Sequence, residues 1–142
     1  MPTERITFPG SDGASLAGRL ELPVDGRPDA YALFAHCFTC SKNLKAAVRL
    51  TRSLARERIG VLRFDFTGIG ESEGDFAETD FSSNVEDLVA AAEWMEEELE
   101  APSLLVGHSL GGAAVLHAAR RLPSVQAVST LGAPADPAHV LK

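Results

Sequence analysis

Ser103-Leu104-Leu105-Val106-Gly107-His108-Ser109-Leu110-Gly111-Gly112 runs from an apolar segment of strand length into Gly-x-Ser-x-Gly. Leu110 to Leu122 then continues as an alanine-rich helical pattern. A serine between strand and helix at that spacing sits where a nucleophile elbow requires it. The turn forces the serine into a strained backbone, and side chains two residues to either side would meet the neighbouring chain. Glycines at 107 and 111 remove both contacts. The plain alternative is a glycine-rich strand-to-helix turn with an inert serine. A hydroxyl becomes a useful nucleophile only when a base takes its proton and donors meet the oxyanion. The N–H of Leu110, at a helix start, is one such donor.

Upstream of the turn, strands and helices alternate. Arg5-Ile6-Thr7-Phe8 and Ser15 to Leu22 flank the turn formers Gly10-Ser11-Asp12-Gly13, which predicts an antiparallel hairpin. Leu16, Leu20 and Leu22 alternate with Ser15, Arg19 and Glu21, so this hairpin is expected to keep one wet face. Tyr31 to Ala35 is an apolar run suited to a strand covered on both faces. Leu44, Ala47, Val48, Thr51, Leu54 and Ala55 recur at helical spacing, with Gly60 as the expected stop. Val61-Leu62-Arg63-Phe64 reads as a strand, followed by a glycine-rich, acidic loop from Thr67 to Asp80.

A second helix is expected to open with a capping box at Ser83-Asn84-Val85-Glu86 and to bury Val85, Leu88, Val89, Ala92, Met95 and Leu99. Val125 to Leu131 is the last strand. The pattern predicts an α/β fold: a doubly wound, mostly parallel sheet of about six strands with an antiparallel amino-terminal hairpin, in one domain over residues 1–142.

With 142 residues, 45% of them hydrophobic, such a domain can bury a core without metal or disulfide. A net charge of −7 argues against nucleic-acid binding through a basic, phosphate-tracking face. No apolar run has the length of a membrane helix, and no apolar leader follows Met1, so the expected compartment is the cytoplasm. Cys37 and Cys40 are too few and too close for a secreted disulfide framework. Glu96-Glu97-Glu98, at a helix carboxyl end where the dipole disfavours them, read as a solvated face.

Three segments in order resemble the signposts of the α/β-hydrolase family: His36-Cys37-Phe38, Asp65-Phe66-Thr67-Gly68-Ile69-Gly70-Glu71-Ser72 and Gly107-His108-Ser109-Leu110-Gly111-Gly112. The resemblance runs from about Arg5 to the end of the chain, and Cys37 stands where the family usually has glycine. It implies a serine hydrolase of ester or amide-like carbonyls, with Ser109 as nucleophile and the N–H groups of Leu110 and Phe38 as oxyanion hole. A small ester or acyl compound is the implied substrate, with no cofactor and no metal. In chain order the family's acid follows the nucleophile, usually after a seventh strand and sometimes after a sixth. Asp136 is the candidate for the latter arrangement, a turn-forming Asp-Pro the alternative. The family's histidine follows an eighth strand, so the role does not pass to His139.

His108 is expected to point away from Ser109, and His117 lies two helical turns beyond it. The chain is thus expected to lack the last strands and the general base, and to turn over weakly or not at all by itself. Ala35-His36-Cys37-Phe38-Thr39-Cys40-Ser41-Lys42 and Phe64-Asp65-Phe66-Thr67-Gly68 further resemble bacterial hydrolases with a carboxy-terminal OsmC-type peroxide-reducing domain, which implies such a domain downstream.

Other chemistries stay open beside this one. Cys37-Phe38-Thr39-Cys40 has the placement of a thioredoxin-like redox pair, although the opening hairpin and the other two signposts do not fit that fold. His36, Cys37 and Cys40 would need a fourth ligand to hold zinc. Gly68 to Gly74 has the outline of a dinucleotide turn, but Glu71, Glu73 and Asp75 would face the pyrophosphate. A mechanical role is expected for that loop, with Asp65 accepting hydrogen bonds from its N–H groups while the glycines take unusual angles. A non-catalytic scaffold or binding module is the remaining alternative.

Overall fold

A computed structural model describes residues 3–36, 45–76 and 79–132. Cys37, Phe38, Cys40, Asp136 and His139, singled out above, lie outside the described residues. Strands β1 (Thr3–Pro9), β2 (Ser15–Glu21), β3 (Ala30–Ala35), β4 (Ile59–Phe64), β5 (Leu104–His108) and β6 (Ala127–Leu131) form one sheet in the order β1-β2-β4-β3-β5-β6. Helices α1 (Lys45–Arg56), α2 (Phe81–Glu98) and α3 (Leu110–Ala119) complete the α/β architecture. β1 and β2 are antiparallel, as is β2 to β4, and the remaining pairs are parallel.

Parallel strands send the segments after β3, β4 and β5 out of the same sheet edge. Because β3 lies between β4 and β5, His36 leaves the sheet between the acidic glycine loop and the Ser109 turn. The strand period sorts the core: Leu33, Leu62, Phe64 and Leu105 meet Leu88, Met95 and Ala114 on one face, whereas Ala32, Phe34, Val61 and Val106 meet Ala47 on the other.

The hairpin keeps its polar face only partly wet: Ser15 and Arg19 are half-buried, and Glu21 departs from the expected pattern. Glu21 is fully buried, accepting from Arg63 Nη1 at 2.8 Å and from Thr3 Oγ1 at 2.8 Å. Arg63, also buried, donates in addition to Thr51 Oγ1 of α1 at 3.1 Å. Helix α1 covers this spot, and a guanidinium and a hydroxyl satisfy the buried carboxyl group.

Helix α1 stops at Arg56, and Gly60 belongs to β4, where a Cβ would stand 2.8 Å from the Tyr31 ring. The left-handed residue between them is Arg58, with φ 69°. Its guanidinium bonds to Asp25, Asp29 and the Arg27 carbonyl oxygen, and these contacts hold an unfavourable backbone angle in place. The capping box of α2 lies three residues earlier than the sequence suggests. Ser83 N–H donates to Asp80 Oδ1 at 2.8 Å, and Asp80 N–H donates to Ser83 Oγ at 2.9 Å. Leu99 follows the last turn as C-cap and is exposed rather than buried, since the helix ends before its stripe returns to the core. Among the described residues no helix is long and apolar enough to cross a membrane.

Candidate active site

Ser109 alone makes the turn from β5 to α3, with φ 57° and ψ −124°. A non-glycine residue at such an angle carries about 1–3 kcal/mol of strain, which its surroundings must hold. The Ser109 N–H donates to the Leu131 carbonyl oxygen at 2.7 Å, and the Gly112 N–H to that of Ser109 at 2.9 Å. A Cβ at position 107 would stand 2.5 Å from the Gly111 oxygen, and one at 111 would strike the carbonyl oxygens of Ala35 and His36. The glycines are therefore required as expected, and the turn is jammed against the end of β3.

Serine at a helix N-cap normally lends its oxygen to the first turn. Ser109 makes no side-chain cap hydrogen bond, so its half-buried hydroxyl is left for another use. Leu110, with its side chain buried, is the first residue of α3, where an N–H has no acceptor within the helix. The helix dipole favours negative charge at that point. Consecutive residues thus present a hydroxyl and an oxyanion donor at one helix end.

His36 and Asp65 meet beside this turn. Both are buried, with His36 Nε2 3.7 Å from Asp65 Oδ1 and the imidazole set edge-on against Phe66. The Asp65 N–H donates to the Ala17 oxygen at 2.9 Å, and Asp65 Oδ2 accepts from the Glu71 N–H at 3.0 Å. Gly70 is left-handed, with φ 56°, and a Cβ there would overlap the Asp65 carboxylate. Glu73 Oε1 accepts from the Ser15 N–H at 2.9 Å and Ser72 Oγ from the Ala17 N–H at 2.9 Å, tying the loop to the hairpin. The mechanical reading of this loop holds.

Asp87 was not legible as part of this arrangement. It is buried on α2, and its Oδ2 accepts from the Thr67 N–H at 3.0 Å and Thr67 Oγ1 at 2.7 Å. Ser11 Oγ donates to Oδ1 at 3.4 Å. Burial pushes the carboxyl up from its ordinary value, against the downward pull of the Thr67 hydrogen bonds. A signal for it did exist, since Asn84, Asp87, Leu88, Ala91 and Met95 recur at helical spacing on the buried stripe.

Of the other histidines, His108 is half-buried at the end of β5, and His117 is exposed with its ring edge-on to Phe81. Among the described residues no three metal-ligating side chains cluster. A groove of about 380 Å³ between the hairpin turn and α2, walled by Ser11, Glu86, Glu93 and Trp94, shares no residue with the Ser109 turn.

Comparison with known proteins bears on the fold and the family. The family described as serine aminopeptidase, S33 (Hydrolase_4) matches residues 26–139. The esterase domain of a Rhodothermus marinus protein superposes with a TM-score of 0.82 at 54% identity, over 99% of this chain and 54% of that one. Salmonella typhi YfhR is 30% identical over 116 residues, 81% of this chain and 40% of its own. The mitochondrial palmitoyl-protein thioesterase ABHD10 of Rattus norvegicus is 32% identical over 91 residues, 64% of this chain and 30% of its own. The chain spans about half the length of these relatives or less.

Proposed function

The chain belongs to the serine aminopeptidase S33 family of α/β hydrolases, and on that footing we propose that it supplies the nucleophile and oxyanion hole of a serine esterase or thioesterase. The observation that carries this reading is Ser109 itself, a strained residue whose hydroxyl does no capping. Ser109 Oγ bonds to the substrate carbonyl carbon as the base takes its proton, and the carbonyl electrons move onto the oxygen. The N–H groups of Leu110 and Phe38 bind that oxyanion. Collapse expels the alkoxide or thiolate, which receives the proton, and water repeats the sequence on the acyl-enzyme. The esterase domain at 54% identity and the thioesterase relative both favour an ester or thioester over an amide.

His36 is engaged by Asp65 inside the sheet edge, and His117 turns to Phe81. The base is accordingly assigned to a histidine in the part of the fold that the relatives carry beyond the matched span, with Asp136 as its acid partner. A small acyl substrate, a cytoplasmic location and a downstream OsmC-type domain complete the reading, the last resting on the wording around His36 and Asp65.

A fluorophosphonate probe and p-nitrophenyl acetate test it on the full-length protein. Labelling is expected at Ser109, with labelling and hydrolysis both lost in Ser109→Ala. Hydrolysis that persists in Ser109→Ala would contradict the reading. Residues 1–142 alone should label slowly, and brisk labelling would place the base within them.

A further inference from the structure

We propose, resting on the esterase reading, that Asp87 is a positioning residue for the oxyanion side of the site, acting through its hydrogen bonds to Thr67 rather than through its charge. The hydrogen bonds to its carboxylate come from neutral donors: the Thr67 N–H and hydroxyl on Oδ2, the Ser11 hydroxyl on Oδ1, and the Ser11 backbone N–H. Among the described residues no cation pairs with it, and the charge felt from the hairpin turn is Asp12, of the same sign. A buried carboxylate without a counterion is expensive to keep, so a role only in packing would be better filled by an apolar side chain.

What Asp87 holds leads to the site. Thr67 opens the glycine loop, two residues after Asp65, and the Ile69 N–H closes onto the Phe66 oxygen at 2.9 Å, which makes residues 66–69 one turn. Asp65 meets His36, and the carbonyl oxygens of Ala35 and His36 abut Gly111 in the first turn of α3. A shift of Thr67 is therefore transmitted through Asp65 and His36 to the first turn of α3, where the Leu110 donor stands, without touching the substrate. Donor placement matters most when the oxyanion exists, so the loss should fall on kcat and spare KM.

Asparagine keeps an acceptor oxygen for both Thr67 donors and turns its amide to the Ser11 hydroxyl, whereas alanine keeps neither contact. Likewise Thr67→Ser retains the hydroxyl donor and Thr67→Val removes it. In the full-length protein, Asp87→Ala and Thr67→Val should each lower kcat for p-nitrophenyl acetate about tenfold, with KM changed less than about twofold. Asp87→Asn and Thr67→Ser should stay within about threefold of the wild type. Hydrogen exchange at the Gly68 and Glu71 amides should quicken in Asp87→Ala and not in Asp87→Asn, a readout independent of turnover. If Asp87→Asn loses as much as Asp87→Ala, the charge is what matters and the proposal is wrong. A rise in KM at constant kcat, or unaltered exchange in Asp87→Ala, overturns it as well. Should Asp87→Ala not fold, the Thr67 pair decides. A wild type that neither hydrolyses nor labels overturns the esterase reading and this proposal together, whereas an active wild type with unchanged kcat in both Asp87→Ala and Thr67→Val overturns this proposal alone.

Discussion

Two turns leave the same edge of the sheet, and both use backbone angles that most residues avoid. In the loop after β4 those angles fall on Gly68, Gly70 and Gly74; in the turn after β5 they fall on Ser109. At 68 and 70 a Cβ has no space, because the Phe76 backbone and the Asp65 carboxylate occupy it. At 109 a side chain is present although glycine would relieve the angle. Strain of about 1–3 kcal/mol retained on a residue with a hydroxyl, where the cheaper choice was available, marks the hydroxyl as the reason for the residue. The loop is shaped for support, and the turn is shaped to present a group.

The largest effect that would break this contrast is Ser109→Gly. Hydrolysis by the full-length protein should fall by about four orders of magnitude, while urea denaturation shows a fold more stable by about 1 kcal/mol once glycine's added entropy is set against the relieved strain. A less stable Ser109→Gly would mean that the turn, not the hydroxyl, selected serine. Next comes the comparison of Gly111→Ala with Gly13→Ala. At 111 the new methyl meets backbone oxygens, whereas at 13, with φ 88°, it enters open space. The first should cost about 3 kcal/mol or more and the second about 1 kcal/mol by denaturant midpoint. Equal losses would show that the jammed approach of α3 to β3 is not what position 111 requires.

The smallest effect concerns pH. Folded Asp87 binds its proton more tightly than the ordinary value of 3.8 implies, because burial disfavours the anion. Its contribution to stability is present in full below that pH and is lost as pH rises through the raised folded value. Asp87→Asn does not titrate, so its stability relative to the wild type should improve as pH rises from below 3.8 to neutral. A difference that moves the other way would show that the Thr67 donors outweigh burial.

The elements and the serine turn were legible because they depend on neighbours in sequence. A Cβ at 107 would meet Gly111 and Gly112 within the same turn, and the apolar run of β3 announces burial by itself. Glu21 could not be read as buried, since α1 arrives over it from elsewhere in the chain and Arg63 supplies its counterion. Asp80 and Ser83 are both good N-cap residues, so the sequence leaves the helix start open by one turn until packing chooses. Asp87 was hidden for a third reason: a polar residue on an apolar stripe shows its meaning only when Thr67 and Ser11, from two distant turns, come to face it.

The central claim, that Ser109 carries the reacting hydroxyl, is tested most directly by trapping its acyl-enzyme. Full-length protein mixed with p-nitrophenyl acetate, quenched in acid during the first turnover and digested for mass spectrometry, should carry one acetyl group on the peptide containing Ser109, absent in Ser109→Ala. An acetyl group found on another residue, or a nitrophenol burst that survives Ser109→Ala, would contradict it.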